Sequence, residues 1–224
     1  LLYQLPGPGQ LVVNASRLQR VDGTNVFDLT RAEVRGRYQA WEILEFLKKN
    51  IAGFENSYML DTGEIGIRET RRIVGEYVLT EADVLASRRF FDGVACGAFA
   101  IDIHPPEGHD QVFTGSGKAV YEIPYRCLWS SQVTNLLVAG RCISANHIAC
   151  GSIRVMATCI AMGQGAGTAA AMAKQCGWNV GRVDAEALRT RLIEQGQFLL
   201  DERCEVVIDP KLKLERTHSS GAAA

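Results

Sequence analysis

Charge of either sign is in short supply. Across 224 residues, 24 Lys plus Arg offset 25 Asp plus Glu, a formal net charge of -1. Nucleic acid or an anionic membrane would have to be held by clustered surplus cations, so neither is expected as a partner. Cysteine pairing is also lacking: the 7 cysteines are odd in number and include no C-x-x-C, which excludes a disulfide framework and fits a reducing, cytoplasmic setting. No initiator Met, basic leader or small-residue cleavage site opens the chain at Leu1, so no signal peptide is read and the chain is expected to be cut from something longer. Long hydrophobic runs are nearly absent as well. Residues 155–173 are uncharged and about long enough to span a bilayer, but Gly163, Gly165, Gly167, Gln164 and many Ala bring little transfer energy. A buried helix with a small face is the better reading. With 47% hydrophobic residues, disorder, collagen and coiled coil are excluded, and at roughly 150 residues per domain there is room for one domain or one and a half.

The local pattern gives a mixed order of elements. Residues 10–14 (QLVVN) read as a strand and VDGTN as a turn. Thr30 and Glu33 then form a capping-box pattern, and Val34, Tyr38, Trp41, Leu44 and Leu47 recur at helical spacing until Lys48, Lys49 and Gly53. From 65 to 79 the period falls to two, with Ile65, Ile67, Ile73, Tyr77 and Leu79 on one face, which reads as a strand with one side buried. Glu69 and Arg71 fall on that face too, and buried charges there require partners or a ligand. Thr80 and Asp83 predict a short capped helix. Residues 98–104 and 120–127 read as strands, joined by PPEGHD and TGSGK loops.

The stretch from 135 to the long helix carries the most chemistry. NLLVAG reads as a strand buried on both faces, RCISANHIAC as a loop, and Gly151 as the head of a helix. Such a unit aims free N–H groups and a positive pole at the carboxyl edge of a sheet, which suits an electron-rich ligand. Gly151, Gly163 and Gly167 would admit a flat ligand or, equally, a neighbouring backbone. Asp184 predicts a last helix ending at Gly196, and THSSGAAA a tail.

NLLVAGRCISANHIACGSIRVMATCIAMGQGAGTAAAMA, with GIRETRRIVGEYVLTEADV, AIDIH and EIPYRCL before it, resembles the carboxyl-terminal part of the FAD-dependent oxidoreductase family with a glutathione-reductase-type FAD domain. The resemblance covers about Tyr3 to Gly196. It implies an α/β fold, α+β in this portion: a mostly-β substrate domain at 1–125, the closing strand and helix of a Rossmann-like FAD/NAD(P)-binding domain at 126–200, and a tail at 201–224. It also implies an FAD cofactor and hydride transfer between flavin and a small organic substrate. By position, Gly140 and Arg141 resemble residues beside the ribityl and pyrophosphate. Ser144 to His147 resemble the loop passing the isoalloxazine, and Gly151, Ser152 and Ile153 the helix opening that faces N1 and O2. Negative charge on reduced flavin would be stabilised there.

His147 is the expected proton handler, because its ordinary pKa lies near neutrality. Arg154, an unfavourable cation near a helix amino terminus, invites an anion or a protein carboxylate. Arg68, Glu69, Arg71 and Arg72 would orient an oxygenated substrate or form a structural ion-pair network. Tyr125 and Arg126 are expected to line the site. The family's G-x-G-x-x-G is absent, so a missing amino-terminal half is the expected partner, and the chain alone is expected to bind FAD weakly and be inactive. Gly117 and Lys118 fail as a P-loop, since Ala119 and Val112 replace required residues. Cys142, His147, Cys150 and Cys159 match no usual zinc spacing, and Asp102, His104, His109 and Asp110 read equally as a polar loop after a strand, so no metal site is expected. The alternative to an enzyme is a non-catalytic packing module that does not bind flavin on its own.

Overall fold

A hairpin begins the chain: β1 (Leu2–Gln4) and β2 (Leu11–Val13) pair antiparallel, Leu2 opposite Val13. These features come from a computed structural model that describes residues 2–104, 112–114, 120–175 and 177–201. Outside the described residues lie the PPEGHD loop with His109 and Asp110, the turn at 115–118 with Gly117 and Lys118, Cys176, Cys204 and the tail from 202.

Helix α1 (Val26–Asn50) starts a turn earlier than the Thr30–Glu33 pattern predicts. Asn25 is its cap, its side chain accepting from the Phe27 amide at 2.9 Å, and Asn is at least as good a cap as Thr. The Thr30 hydroxyl instead donates to the Val26 carbonyl at 2.9 Å, and the Glu33 carboxylate accepts from the Ile65 amide at 2.9 Å. The helix closes with Lys48 and Lys49 in its last turn and Gly53 at φ +93° beyond it.

The strand expected over 65–79 does not form: the segment is irregular, and its one ladder contact is a parallel bridge from Leu79 to Ala145. It threads between two loops: the amides of Ile73 and Leu79 donate to the Cys142 and Ser144 carbonyls at 3.0 and 3.1 Å, and that of Tyr77 to the Arg126 carbonyl at 3.1 Å. Gly75 permits this, since a Cβ there would lie 2.8 Å from the Arg126 and Trp129 carbonyls. The inward face holds Ile65, Ile67, Glu69, Ile73, Tyr77 and Leu79, as expected, but Arg71 is exposed and Arg72 half-buried. The alternation skips one residue there, so Arg72 takes the inward place expected of Arg71.

Helix α2 (Glu81–Leu85) carries the expected capping box between Thr80 and Asp83. Next come β3 (Gly93–Gly97), β4 (Ile101–Ile103), β5 (Val112–Thr114) and β6 (Tyr121–Pro124). The sheets are three antiparallel pairs, β1–β2, β3–β6 and β4–β5. The strand expected at 135–140 is absent: NLLVAG is irregular, with Leu136 exposed and the Val138 amide donating to the Leu128 carbonyl at 2.9 Å. A strand buried on both faces needs strands on both sides, and none flanks it among the described residues.

The long helix also differs. Residues 147–175 form two rods, α3 (His147–Ile153) and α4 (Met156–Gln175), bent by 95°. Among the described residues no single helix is long and apolar enough to cross a membrane. Helix α5 (Ala185–Glu194) follows, capped by Asp184 as predicted. The core lies between β3–β6, α3, α4 and α5, with Val94, Tyr121, Ile123, Ile153, Met162, Leu188 and Leu192 buried. Gly165 lets α4 close on β3, a Cβ there standing 3.1 Å from that of Val94. A buried ion pair, Glu122 to Arg189 at 2.9 Å, ties α5 to β6. The whole is a mixed α+β arrangement of helices and small sheets.

Candidate active site

Four segments meet where α3 ends: the chain at 68–72, strand β4, α3 itself and the link at Arg154. Asn146 caps α3, its side chain accepting from the Ala149 amide at 2.8 Å, and this sets His147 on the first turn with its ring more than half exposed. Nδ1 of His147 lies 2.7 Å from Glu69 Oε2. The other Glu69 oxygen takes the Arg72 guanidinium, whose charge is felt at the Cys150 thiol. Across the cluster, Arg154 Nη2 donates to the Asp102 carbonyl at 2.5 Å. The Asp102 carboxylate stands 3.0 Å from His104 Nε2 and 3.9 Å from Arg68 Nη1.

The charges respond to one another. Burial acts to raise the Glu69 carboxyl, but the Arg72 hydrogen bond and the charges of His147 and Arg72 hold it below its ordinary value. Burial acts to lower Arg72, and Glu69 outweighs it, raising that guanidinium. Arg154 is lowered by burial and then by repulsion from Arg68. The Cys150 thiol is raised, mainly by burial and the Glu69 charge, so it stays protonated and is a poor nucleophile.

Five residues singled out from sequence, Arg68, Glu69, Arg72, His147 and Arg154, are therefore together. Arg71 stands apart, exposed, with its charge felt at Asp22. Tyr125 is buried, its hydroxyl donating to the Val180 carbonyl at 2.8 Å, and burial pushes it far above its ordinary value. Arg126 grips Asp92 through Nε at 2.8 Å and Nη2 at 3.1 Å and lies over the Tyr77 and Phe91 rings. Both are committed to holding the fold. Asp102 and His104, read from sequence as a polar loop, belong to the cluster, Asp102 on β4 and His104 just beyond its end. Cys150 enters it through its i+3 relation to His147 on α3.

Gly151, Ser152 and Ile153 do not open a helix. They fill the last turn of α3 and are buried. A Cβ on Gly151 would lie 2.9 Å from the Asp102 carbonyl oxygen, so its role here is close backbone approach. The Ser152 hydroxyl is 2.6 Å from that of Tyr121 and donates to the Phe99 carbonyl, and burial pushes Tyr121 up to about 12. The long rod opens at Met156, which is 83% exposed. Gly163 and Gly167 face open space, with nothing within 4 Å of a Cβ on either.

Beside that opening, Gly140 begins a 3₁₀ turn (Gly140–Cys142) at φ +83°, and a Cβ there would meet only Cys159 Sγ at 3.8 Å. Arg141 is exposed. Ser144 is buried, yet its Oγ has no hydrogen-bond partner among the described residues. A buried hydroxyl without a partner is costly.

The match to known families is specific: residues 3–192 fit the model for FAD dependent oxidoreductase, and the chain belongs to that family. Its cofactor is FAD. No curated protein and no solved structure matches the chain. The unsatisfied Ser144 hydroxyl and the open side of Gly140 fit such a cofactor.

Proposed function

We propose that this protein exchanges a hydride with a small organic substrate through its flavin, with His147 handling the accompanying proton. The observation that carries this reading is the Glu69–His147 pair inside a ring of guanidinium groups, close to the head of α4. FAD, when bound, supplies N5 as the partner for hydride. Gly140, Arg141 and Ser144 would hold it, with the amides of Met156 to Thr158 taking the part first expected of Gly151, Ser152 and Ile153. Glu69 accepts from Nδ1–H of His147, which fixes the ring and leaves Nε2 as the basic atom. Arg72 keeps Glu69 ionised, so the carboxylate stabilises the imidazolium formed when Nε2 takes a proton.

Arg68 and Arg154 face the same cluster and serve substrate binding. Phosphate contacts for the adenylate half come from another segment or chain, since no G-x-G-x-x-G stands among these 224 residues. The chain by itself is then expected to take up FAD weakly. The test is rapid-mixing reduction of the flavin by substrate across pH. His147→Gln is expected to slow reduction by about 10²–10⁴-fold and flatten its pH profile, while Glu69→Gln shifts that profile. An unchanged rate and profile in His147→Gln removes the role.

A packing role has its own support: Phe27 (73%), Tyr38 (70%) and Trp41 (58%) of α1 are exposed, more aromatic surface than one helix ordinarily leaves uncovered. A colourless full-length protein that gains no visible absorption from added FAD would establish that reading instead.

A further inference from the structure

The guanidinium groups outnumber their carboxylates. Arg68, Arg72 and Arg154 gather around Glu69 and Asp102, and the two carboxylates are unequally shared. Glu69 is taken by Arg72 and His147. Asp102 Oδ2 is engaged at 3.0 Å by His104, while Arg68 approaches it no nearer than 3.9 Å. Among the described residues Arg154 meets a main-chain carbonyl, through one of its five N–H donors. Counted over those residues, one positive charge is left over in a half-buried place. It also stands at the opening of α4, where a cation meets the positive pole of the helix. Repulsion from Arg68 adds to burial in lowering Arg154. Two planar forks that repel each other, held together by the fold, are stabilised by one anion bound between them.

We propose that Arg68 and Arg154 form a two-guanidinium clamp for a carboxylate, so that the substrate is a small organic acid and not a neutral molecule. The inference rests on the flavin-linked reading above and adds the substrate class to it. A carboxylate placed there lies beside His147, within the same cluster. The competing source of an anion is a phosphate of FAD, which uses the same forks, so the experiment separates the two.

The experiment is titration calorimetry of the full-length, flavin-loaded protein with acetate, succinate and benzoate, with dimethyl succinate and inorganic phosphate as comparison ligands. Flavin absorbance is read in the same samples. At least one carboxylate is expected to bind saturably and the diester not at all. Arg68→Met and Arg154→Met are each expected to weaken that binding tenfold or more, Arg154→Lys to retain part of it, and Arg35→Met, on the exposed face of α1, to leave it unchanged. Should a methionine variant lose its fold, the lysine variant and Arg68→Gln carry the comparison. Flat heats with every carboxylate on yellow protein overturn the clamp and leave the flavin reading standing. So does loss of FAD from Arg68→Met and Arg154→Met with carboxylate binding intact, which assigns the forks to phosphate. Clamp-dependent carboxylate binding by colourless protein upholds the clamp and sinks the flavin reading.

Discussion

The chain before Tyr77 and the chain after it are built on different principles. Of the apolar residues in the first stretch only Ala32 is buried, whereas every other member of the buried core lies from Leu79 onward. Helix α1 is held by its Asn25 cap, by local pairs such as Glu33–Arg37 at 3.8 Å, and by a few polar ties, among them Arg17 to Gln39 at 3.1 Å and Arg37 to Thr62 at 2.7 Å. Helices α3, α4 and α5 are held by packing. Most helical stability in proteins comes from a buried face, so the first stretch has little of its own; the second carries the core, and the charged cluster joins the two, with Arg68, Glu69 and Arg72 from the first and Asp102, His147 and Arg154 from the second.

The sharpest way to break this contrast is at its ion pairs. Glu122 is buried, accepting from Arg189 at 2.9 Å and from the Phe90 amide at 2.7 Å, so Glu122→Gln or Arg189→Met is expected to cost about 3–5 kcal/mol in denaturant unfolding. Arg31→Met removes the exposed Asp28–Arg31 pair and is expected to change stability by less than about 0.5 kcal/mol. Equal effects would erase the distinction. Next in size, Leu79→Ala empties a fully buried site and is expected to cost about 2–5 kcal/mol. Tyr38→Ser should leave the unfolding midpoint within about 0.5 kcal/mol of the parent. A smaller loss tests how α1 is held: Asn25→Ala is expected to cost about 1 kcal/mol and to reduce helical circular dichroism.

The smallest effect is on acid sensitivity. Burial acts to raise the Asp83 carboxyl, but the Thr80 amide, Arg88 and the Thr80 and Tyr77 hydroxyls hold it below the ordinary 3.8. Because the folded value is depressed, this stabilisation is present above the unfolded value and is lost as pH falls through the folded one. Asp83→Asn is therefore expected to flatten the fall of stability with pH below about 4, as read from unfolding curves taken at successive pH values.

Local chemistry was legible from sequence wherever a cap or a period is self-contained. Thr80 with Asp83, Asp184 before α5, and the inward run from Ile65 to Leu79 are of that kind. Val34, Tyr38 and Trp41 show the limit: they recur at helical spacing, yet the structure exposes all three, because spacing does not say which side of a helix meets a neighbour. The corner between α3 and α4 was invisible too, since no Pro interrupts residues 147–175. Of the candidate site, His147, Glu69, Arg68, Arg72 and Arg154 were singled out from sequence. Asp102, His104 and Cys150 were not placed beside them, because the meeting of residues 68–72, 102–104 and 147–154 is a tertiary fact that no local pattern encodes.

Gly151 makes the corner a ruler. With the Asp102 carbonyl 2.9 Å from where a methyl would sit, the spacing of α3 from β4 is set by a missing carbon, and Arg154, three residues on, reaches back to that same carbonyl. A single added methyl would therefore act as a wedge, tilting the short rod and swinging the guanidinium tip off the oxygen it is measured against.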